Sequence, residues 1–314
     1  MASREITLSK TRTNSSSHLA HALSRLIRKK IAVGCILILS IIYTGGIFAA
    51  WITPQGYSYS EQDYTAIRQG PSAQHWAGTD RAGRDVLTRV IWGVQNTVII
   101  TVIAMSTGGL VIGVTMGLVS GYFGKKIDTV IQRTGEIFAS FPDIFLVIIL
   151  SATITPRIRE WAQWMGSYDY IADYFIISLA LVSFSWVSMC RLVRGQVLYL
   201  KETQFVQAAV ATGASTPRIL FVHLLPNAVS PIVVTISMGM GVLVTTEIIL
   251  GFVGLGVQPP RPSLGGMLLE SANIGTLRSE PWMLLAPGTA AMLLVLSWNL
   301  LGDALNDVLN PRTR

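Results

Sequence analysis

Between Thr97 and Val119 the chain reads TVIITVIAMSTGGLVIGVTMGLV, 23 residues without a single charge. A helix needs about 20 apolar residues to cross roughly 30 Å of hydrocarbon, so this stretch is long enough to span a bilayer. Further stretches read the same way: Ile31 to Ile52, Ile137 to Ile154, Tyr174 to Met189, Ile232 to Val257 and Trp282 to Leu301. They are rich in Val, Ile and Thr. In lipid, however, each backbone N–H and C=O must be satisfied inside its own segment, which selects helices over strands. The fourth stretch is the shortest. The fifth has 26 residues, about 39 Å at the helical rise, and must tilt, protrude or break, with Gly251, Gly254 and Gly256 as the place for the break.

Composition agrees. Of 314 residues, 24 are Lys or Arg and 17 Asp or Glu, so 13% are charged against about 25% in soluble proteins. With 51% apolar residues and a mean hydropathy of +0.51, the chain is no soluble globule, disordered polymer or disulfide scaffold. Its net charge of +7 comes without zinc spacing, an aromatic RNA-binding signature or a continuous basic helix, and reads as topology. Cys35 and Cys190 lie at the inner ends of spans and are expected as free, buried thiols.

Residues 1 to 30 hold seven Lys or Arg, and Arg25, Arg28, Lys29 and Lys30 directly precede the first span. By the positive-inside tendency this cluster places the N-terminus in the cytoplasm, and six crossings return the C-terminus there. The inner segments then carry 16 of the 24 basic residues. The expected organisation is a basic leader (1–30), a first transmembrane helix (31–52), an extracytoplasmic loop (53–96), a five-helix core (97–301) and a cytoplasmic tail (302–314). The leader, with Ser15 to Ser17, is polar and is assigned no fold. The first span is too long for a signal-peptide core and lacks a small-residue cleavage site. In the second, Gly109, Gly113, Gly117 and Gly121 recur every four residues, a small-residue face that lets another helix approach closely.

The longest inner loop, 190–230, contains KETQFVQAAVATGASTPR from Lys201 to Arg218. Its first part is an Ala-rich helix, Gly213 suits a left-handed helix stop, and Pro217 suits the first turn of the next helix. That second helix leads through His223 to Leu225-Pro226-Asn227, just before the fifth span. A helix–turn–helix held at a membrane surface is a rigid knob suited to a cytoplasmic partner.

Gln207-Ala208-Ala209, Gly213 and His223-Leu224-Leu225-Pro226 resemble the EAA signature of bacterial ABC importer permeases, with Gln207 where the pattern has Glu. Three more stretches resemble the C-type permease of the dipeptide, oligopeptide and nickel branch: Gly78 to Leu87 (GTDRAGRDVL, a GTDxxGRD box), Gly251 to Pro260 with Pro262 to Gly265, and a C-terminal signature from Pro281-Trp282 through Asn299 to Asp303 and Leu309-Asn310-Pro311. The resemblance implies an all-α type I importer permease with six transmembrane helices. It implies a homologous second permease, two ABC ATPase subunits that bind ATP and Mg2+, an extracytoplasmic substrate-binding protein and a bacterial inner-membrane location. No cofactor is expected on this chain. The loop 199–226 would be the coupling segment, with Phe205, Gln207, Ala208, Ala209, Gly213, Ala214, Arg218 and Pro226 meeting an ATPase. ATP-driven closure of the ATPases would pull this segment and rock the two permeases, switching a midplane cavity from one side to the other.

Other residues keep two readings. Gly78 and Gly83 permit tight turns in which Asp80, Arg84 and Asp85 pair locally and exposed; with Thr79 they form either a structural cap on the outer face or a dock for the delivery protein. Glu247, 15 residues into the fifth span and matching a Glu common in the family, either bonds a hydroxyl such as Thr245 or Thr246 or lines the pathway or gate; a carboxylate in lipid requires a cavity or partner. Asp143 either caps backbone freed by Pro142, as Ser140 also could, or serves an inner gate. His223 is a polar residue at the inner surface or, less simply, a proton relay. His75 stands alone, and His18 with His21 lacks a third ligand for a metal.

No phosphate-cradling Gly-x-x-x-x-Gly-Lys-Ser/Thr loop, Gly-x-Ser-x-Gly elbow or His-Glu-x-x-His helix is present, so the chain is expected not to be an enzyme. The function expected is translocation of di- or oligopeptides by an ATP-driven importer. The alternatives are nickel or another small solute in the same family, an ion-driven secondary transporter, or a membrane receptor or assembly component. A secondary transporter would place more ionisable groups near the midplane and often show related halves.

Overall fold

The computed structural model describes residues 24–53, 59–162 and 169–309, whose regular structure is helical, joined by turns and loops such as 59–85, with an isolated bridge between Thr79 and Asp85. Ser15 to Ser17, His18, His21 and Asn310-Pro311 lie outside the described residues. The helices are α1 (Lys30–Ile47), α2 (Val86–Phe123), α3 (Lys125–Ala139), α4 (Asp143–Ala162), α5 (Asp169–Leu200), α6 (Gln204–Ala211), α7 (Thr216–Phe252), α8 (Leu264–Ser271), α9 (Ile274–Ser279) and α10 (Trp282–Leu309). Five of them, α1, α2, α5, α7 and α10, are long and apolar enough to cross a membrane, and α4 carries a shorter apolar run, Ile148–Ile158.

Side-chain bonds fix the two ends of this bundle. At one end Lys29 meets Asp307 and Arg194 meets Asp128; at the other Trp282 meets Thr79 and Gln258 meets Asp173. The start of α7 and all of α6 lie at the first end, and the Gly78–Leu87 box lies at the second.

Several spans are longer than hydropathy predicts. The second starts at Val86, not Thr97, because Asp85 caps it by accepting a 2.8 Å hydrogen bond from Thr88 N. Its first turns carry Arg89 and Asn96, polar residues that face protein and not lipid. The fourth, expected to end at Met189, runs to Leu200, because Arg194 at its end is matched by Asp128 on α3. The expected third span, Ile137 to Ile154, is divided: Ile137 belongs to α3, the chain turns at Ser140–Pro142, and α4 begins at Asp143. Pro142 therefore frees no backbone groups inside a helix, and Ser140 Oγ bonds Glu136 O at 2.7 Å. The fifth span ends at Phe252, followed by Gly254 with φ +87°, and the first helix has a break at Phe48. The tail expected from 302 continues α10 to Leu309.

The small-residue face holds at Gly113, Gly117 and Gly121, but its first member differs. Residues Met105–Val114 are wound as a π-helix, which has more residues per turn than an α-helix. Gly108, not Gly109, therefore joins Gly113, Gly117 and Gly121 against α5. A Cβ there would lie 2.1 Å from Ser185 Oγ, 2.8 Å from Met189 Cβ, 2.7 Å from Cys190 O and 2.7 Å from Val197 Cβ, respectively. Gly109 turns back toward its own helix, where a Cβ would meet Met105 Sδ at 2.6 Å.

The core forms three main layers along the bundle. One joins α1, α2, α7, α8 and α10 around Val94, Val244 and Leu294; a second joins α2, α5 and α7 around Ile100, Leu181 and Met240. The third, around Leu118, Val193, Val197, Val206 and Leu224, ties α6 to the ends of α2, α5 and α7. Cys35 and Cys190 are free and buried.

Candidate functional site

The α6 segment is built as a rigid projection. Val206 is its anchor, 1% exposed and packed in the third core layer, while the rest of its turn stands out of the bundle. Thr203 is the extended N-cap residue; its backbone carbonyl accepts from Gln207 N at 3.1 Å. At the other end Gly213, φ +79°, takes the left-handed conformation that lets Ala214 N reach back to Ala209 O at 3.0 Å. Pro217 sits in the first turn of α7. The knob is therefore continuous with a helix that traverses the whole bundle.

Phe205, Gln207, Ala208, Gly213, Arg218 and Pro226 are exposed; Ala209 and Ala214 are half-buried. Phe205 is 45% and Val210 52% exposed, an apolar pair on the outer side of an Ala-rich helix. Gln207 Nε2 donates to Glu202 O at 3.2 Å. His223 is half-buried at the start of α7, and its carbonyl accepts from Asn227 Nδ2 at 2.7 Å.

Just beside the knob, Asp128 accepts two 2.6 Å bonds from Arg194 and one of 2.5 Å from Ser120 Oγ. The Arg194 hydrogen bonds hold the Asp128 carboxyl below the usual carboxylate range. This pair fixes α3 to the end of α5, and sequence reading missed it. The available signal was Arg194, a charge inside an otherwise helical apolar run with no local partner.

The Gly78–Leu87 box at the opposite end is buried, which overturns the expectation of exposed pairs. Asp80 is 1% exposed and accepts from Ala82 N (2.8 Å), Arg84 N (2.9 Å), Arg84 Nε (2.7 Å) and Arg89 Nη1 (2.6 Å). Arg89 also meets Glu270 of α8 at 2.8 and 2.9 Å. Thr79 Oγ1 bonds Ala66 O, and Thr79 O accepts from Trp282 Nε1 at 3.1 Å. Gly78 and Gly83 have φ +72° and +76°, and a Cβ on them would lie 2.7 Å from the Trp282 ring and 1.9 Å from Asp63 O. His75 is not alone: its Nδ1 lies 3.0 Å from Asp85 Oδ1, both buried. Arg89, Glu270 and His75 complete a network of which the sequence showed only the local half.

Glu247 is fully buried between α7 and α2, and Oε2 accepts from Thr97 Oγ1 at 2.8 Å. Thr245 and Thr246, the partners expected from sequence, instead bond carbonyls four residues back. Glu247 Oε1 has no hydrogen-bond partner among the described residues. Asp143 stands at the start of α4. Among the described residues no cluster of three or more His, Cys, Asp or Glu is arranged to hold a metal.

A family model described as the binding-protein-dependent transport system inner membrane component matches residues 109–314. The chain belongs to that family. A second model, the N-terminal TM domain of oligopeptide transport permease C, matches residues 17–71. The chain is 38% identical to the dipeptide transport system permease protein of Alkalihalophilus pseudofirmus, over 93% of this chain and 90% of the relative. It is 34% identical to a glutathione transport system permease protein of Pectobacterium atrosepticum, over 92% and 90%. It is 32% identical to an oligopeptide transport system permease protein of Mycobacterium tuberculosis, over 92% and 93%. The resemblance seen in the four motifs is thus a family relationship over most of the chain. This is a multi-pass permease subunit of the bacterial inner membrane, a subunit type that is not itself an enzyme.

Proposed function

We propose that this permease carries di- or oligopeptides inward as half of a pathway completed by a homologous second permease. Two ATPase subunits, holding ATP and Mg2+, drive it from the side of α6, and an extracytoplasmic binding protein delivers substrate to the side of the box. Both termini are cytoplasmic in this reading, and α4 completes six crossings. The single observation that carries it is the α6 knob, pinned by Val206 yet presenting Phe205 and Val210 to solvent, in a chain of this family. An exposed apolar pair on a preformed helix is what a groove on a partner recognises. Gln207, Ala208, Arg218 and Pro226 flank that contact, and Ala209, Gly213 and Ala214 set its shape.

The buried box supports a structural cap over a docking surface: Asp80, Arg84 and Asp85 spend their hydrogen bonds within the protein, leaving the surrounding loop to meet the binding protein. Glu247, sealed against Thr97, supports a packing role in this conformation. Asp143, at the turn between α3 and α4, is assigned to the inner gate. Glutathione, itself a tripeptide, is the second reading of the substrate, favoured by the 34% identical relative whose name carries it.

The test is reconstitution. In vesicles holding the whole importer, labelled peptide should accumulate only with ATP and the binding protein present. Accumulation by this chain alone, driven by an ion gradient, would overturn the reading.

A further inference from the structure

Away from the knob, the knob end of the bundle holds an open groove of about 430 Å3 between the start of α1 and the end of α10. This is within the roughly 300–1,000 Å3 typical of small-ligand sites. It is a built feature. Leu26, 7% exposed, packs on Ala304, Leu305 and Val308 and draws the residues before α1 across the last turns of α10. Lys29 then closes one end with a 2.8 Å ion pair to Asp307. Lys30 and Asp303, which also line the groove, are exposed and make no ion pair with each other or with any other described residue.

Three properties of this groove select one kind of occupant. First, it lies where two apolar spans end, the depth at which lipid headgroups meet water. Its apolar walls, Ile31 and Leu300, continue into hydrocarbon: Ile31 is 66% exposed, and Leu300 heads a stripe with Leu296 and Met292, four residues apart on α10 and both exposed. An acyl chain has a track to follow. Second, among the described residues the four ionic side chains in the lining, Lys29, Lys30, Asp303 and Asp307, sum to zero, with one of each sign left over after the Lys29–Asp307 pair. A ligand with one phosphate and one ammonium matches that remainder, whereas an anionic headgroup leaves Asp303 opposed by like charge. Third, among the described residues no aromatic side chain lines the groove. Quaternary ammonium groups are held by aromatic faces, while a primary ammonium offers three N–H donors to a carboxylate.

We infer that the groove between Lys30 and Asp303 is a phospholipid site selective for an ethanolamine headgroup, with the phosphate on Lys30, the primary ammonium on Asp303 and an acyl chain along Leu300, Leu296 and Met292. This assignment is independent of the transported solute and of the knob's partner. It requires only that the chain is in a bilayer.

The experiment uses the intact importer in nanodiscs made from equal parts phosphatidylethanolamine, phosphatidylglycerol and phosphatidylcholine, transferred to mild detergent for native mass spectrometry of the lipids retained. Wild type should retain about five molecules of the ethanolamine lipid for each molecule of the glycerol or the choline lipid, the ratio that about 1 kcal/mol of selective contact gives. Lys30→Gln and Asp303→Asn should each return it to the bulk share, with the subunit composition and elution volume unchanged, and Asp303→Lys should turn the preference to phosphatidylglycerol. Retention of the three lipids in bulk proportion by wild type overturns the inference, as does equal retention of choline and ethanolamine lipids. So does undiminished enrichment in Asp303→Asn. A photoreactive residue at position 31 should label lipid; labelling of a protein subunit instead would make the groove a protein contact and end the proposal.

Discussion

The two ends of this permease treat their polar and apolar groups in opposite ways. At the box end, Asp80 gathers four hydrogen bonds, Arg89 bridges it to Glu270, and Trp282 seals Thr79, so the charges of the loop that leads into α2 are consumed inside the protein. At the knob end, α6 buries one side chain firmly and leaves Phe205 and Val210 in water. Both ends carry motifs that the sequence singles out, and a motif does not say whether it acts by holding the fold or by meeting a partner. Burial does. The box is self-satisfied, and the knob has surface to give.

Breaking the box should have the largest effect. Asp80→Ala leaves Arg89 and two backbone amides without their shared acceptor in a buried site, and should lower unfolding free energy by about 3–5 kcal/mol, read by thermal denaturation of the purified complex. A loss below about 1 kcal/mol would mean that the network is not cooperative. At the knob, Phe205→Ala should leave that stability within about 0.5 kcal/mol of wild type but weaken ATPase binding about 30-fold, as for a central interface anchor worth about 2 kcal/mol. Titrating ATPase subunits onto immobilised permease measures this, and unchanged affinity would remove Phe205 from the interface.

A matched pair of glycines sharpens the contrast. Both Gly83 and Gly213 have positive φ, but only at Gly83 would a Cβ meet an atom, Asp63 O at 1.9 Å, whereas nothing lies within 4 Å at Gly213. Gly213→Ala should therefore cost only the left-handed backbone term, about 1–2 kcal/mol, and Gly83→Ala clearly more. Equal losses in denaturation would show that the two turns are held alike.

The smallest effect expected is at Asp128. Its carboxyl is held below the ordinary range by Arg194, so the folded state favours the ionised form. The resulting stability is present in full above the unfolded carboxylate range and fades as pH falls through that range toward the lower folded value. Asp128→Asn should therefore be less stable than wild type at pH 7, by about 1 kcal/mol or less for a partly exposed pair, and the gap should close in acid and shrink in salt. A pH-independent gap would assign the effect to packing.

Hydropathy made the membrane architecture legible because a span must be apolar somewhere along its length, and Gly213 with Pro217 made the knob legible because both residues have local backbone consequences. What escaped reading was everything settled between distant segments. Arg89 drew no reading because its partners, Asp80 and Glu270, are brought together only by folding. Glu247 pointed to Thr245 or Thr246 in sequence and to Thr97 in space. Three of the four seam glycines were legible, but the first was placed at Gly109 instead of Gly108, since a four-residue step presumes an α-helix and Met105–Val114 is wound more widely. The start of α2 was placed eleven residues late, at Thr97 instead of Val86, because polar side chains on a protein-facing surface look like the end of a membrane segment.

The 37 residues from Thr216 to Phe252 form one uninterrupted helical element. At 1.5 Å per residue it is about 55 Å long, so each degree of tilt about one end carries the other through about 1 Å. A rotation of only a few degrees at the knob end would thus be delivered to the opposite end of the bundle as displacement on the scale of a side chain.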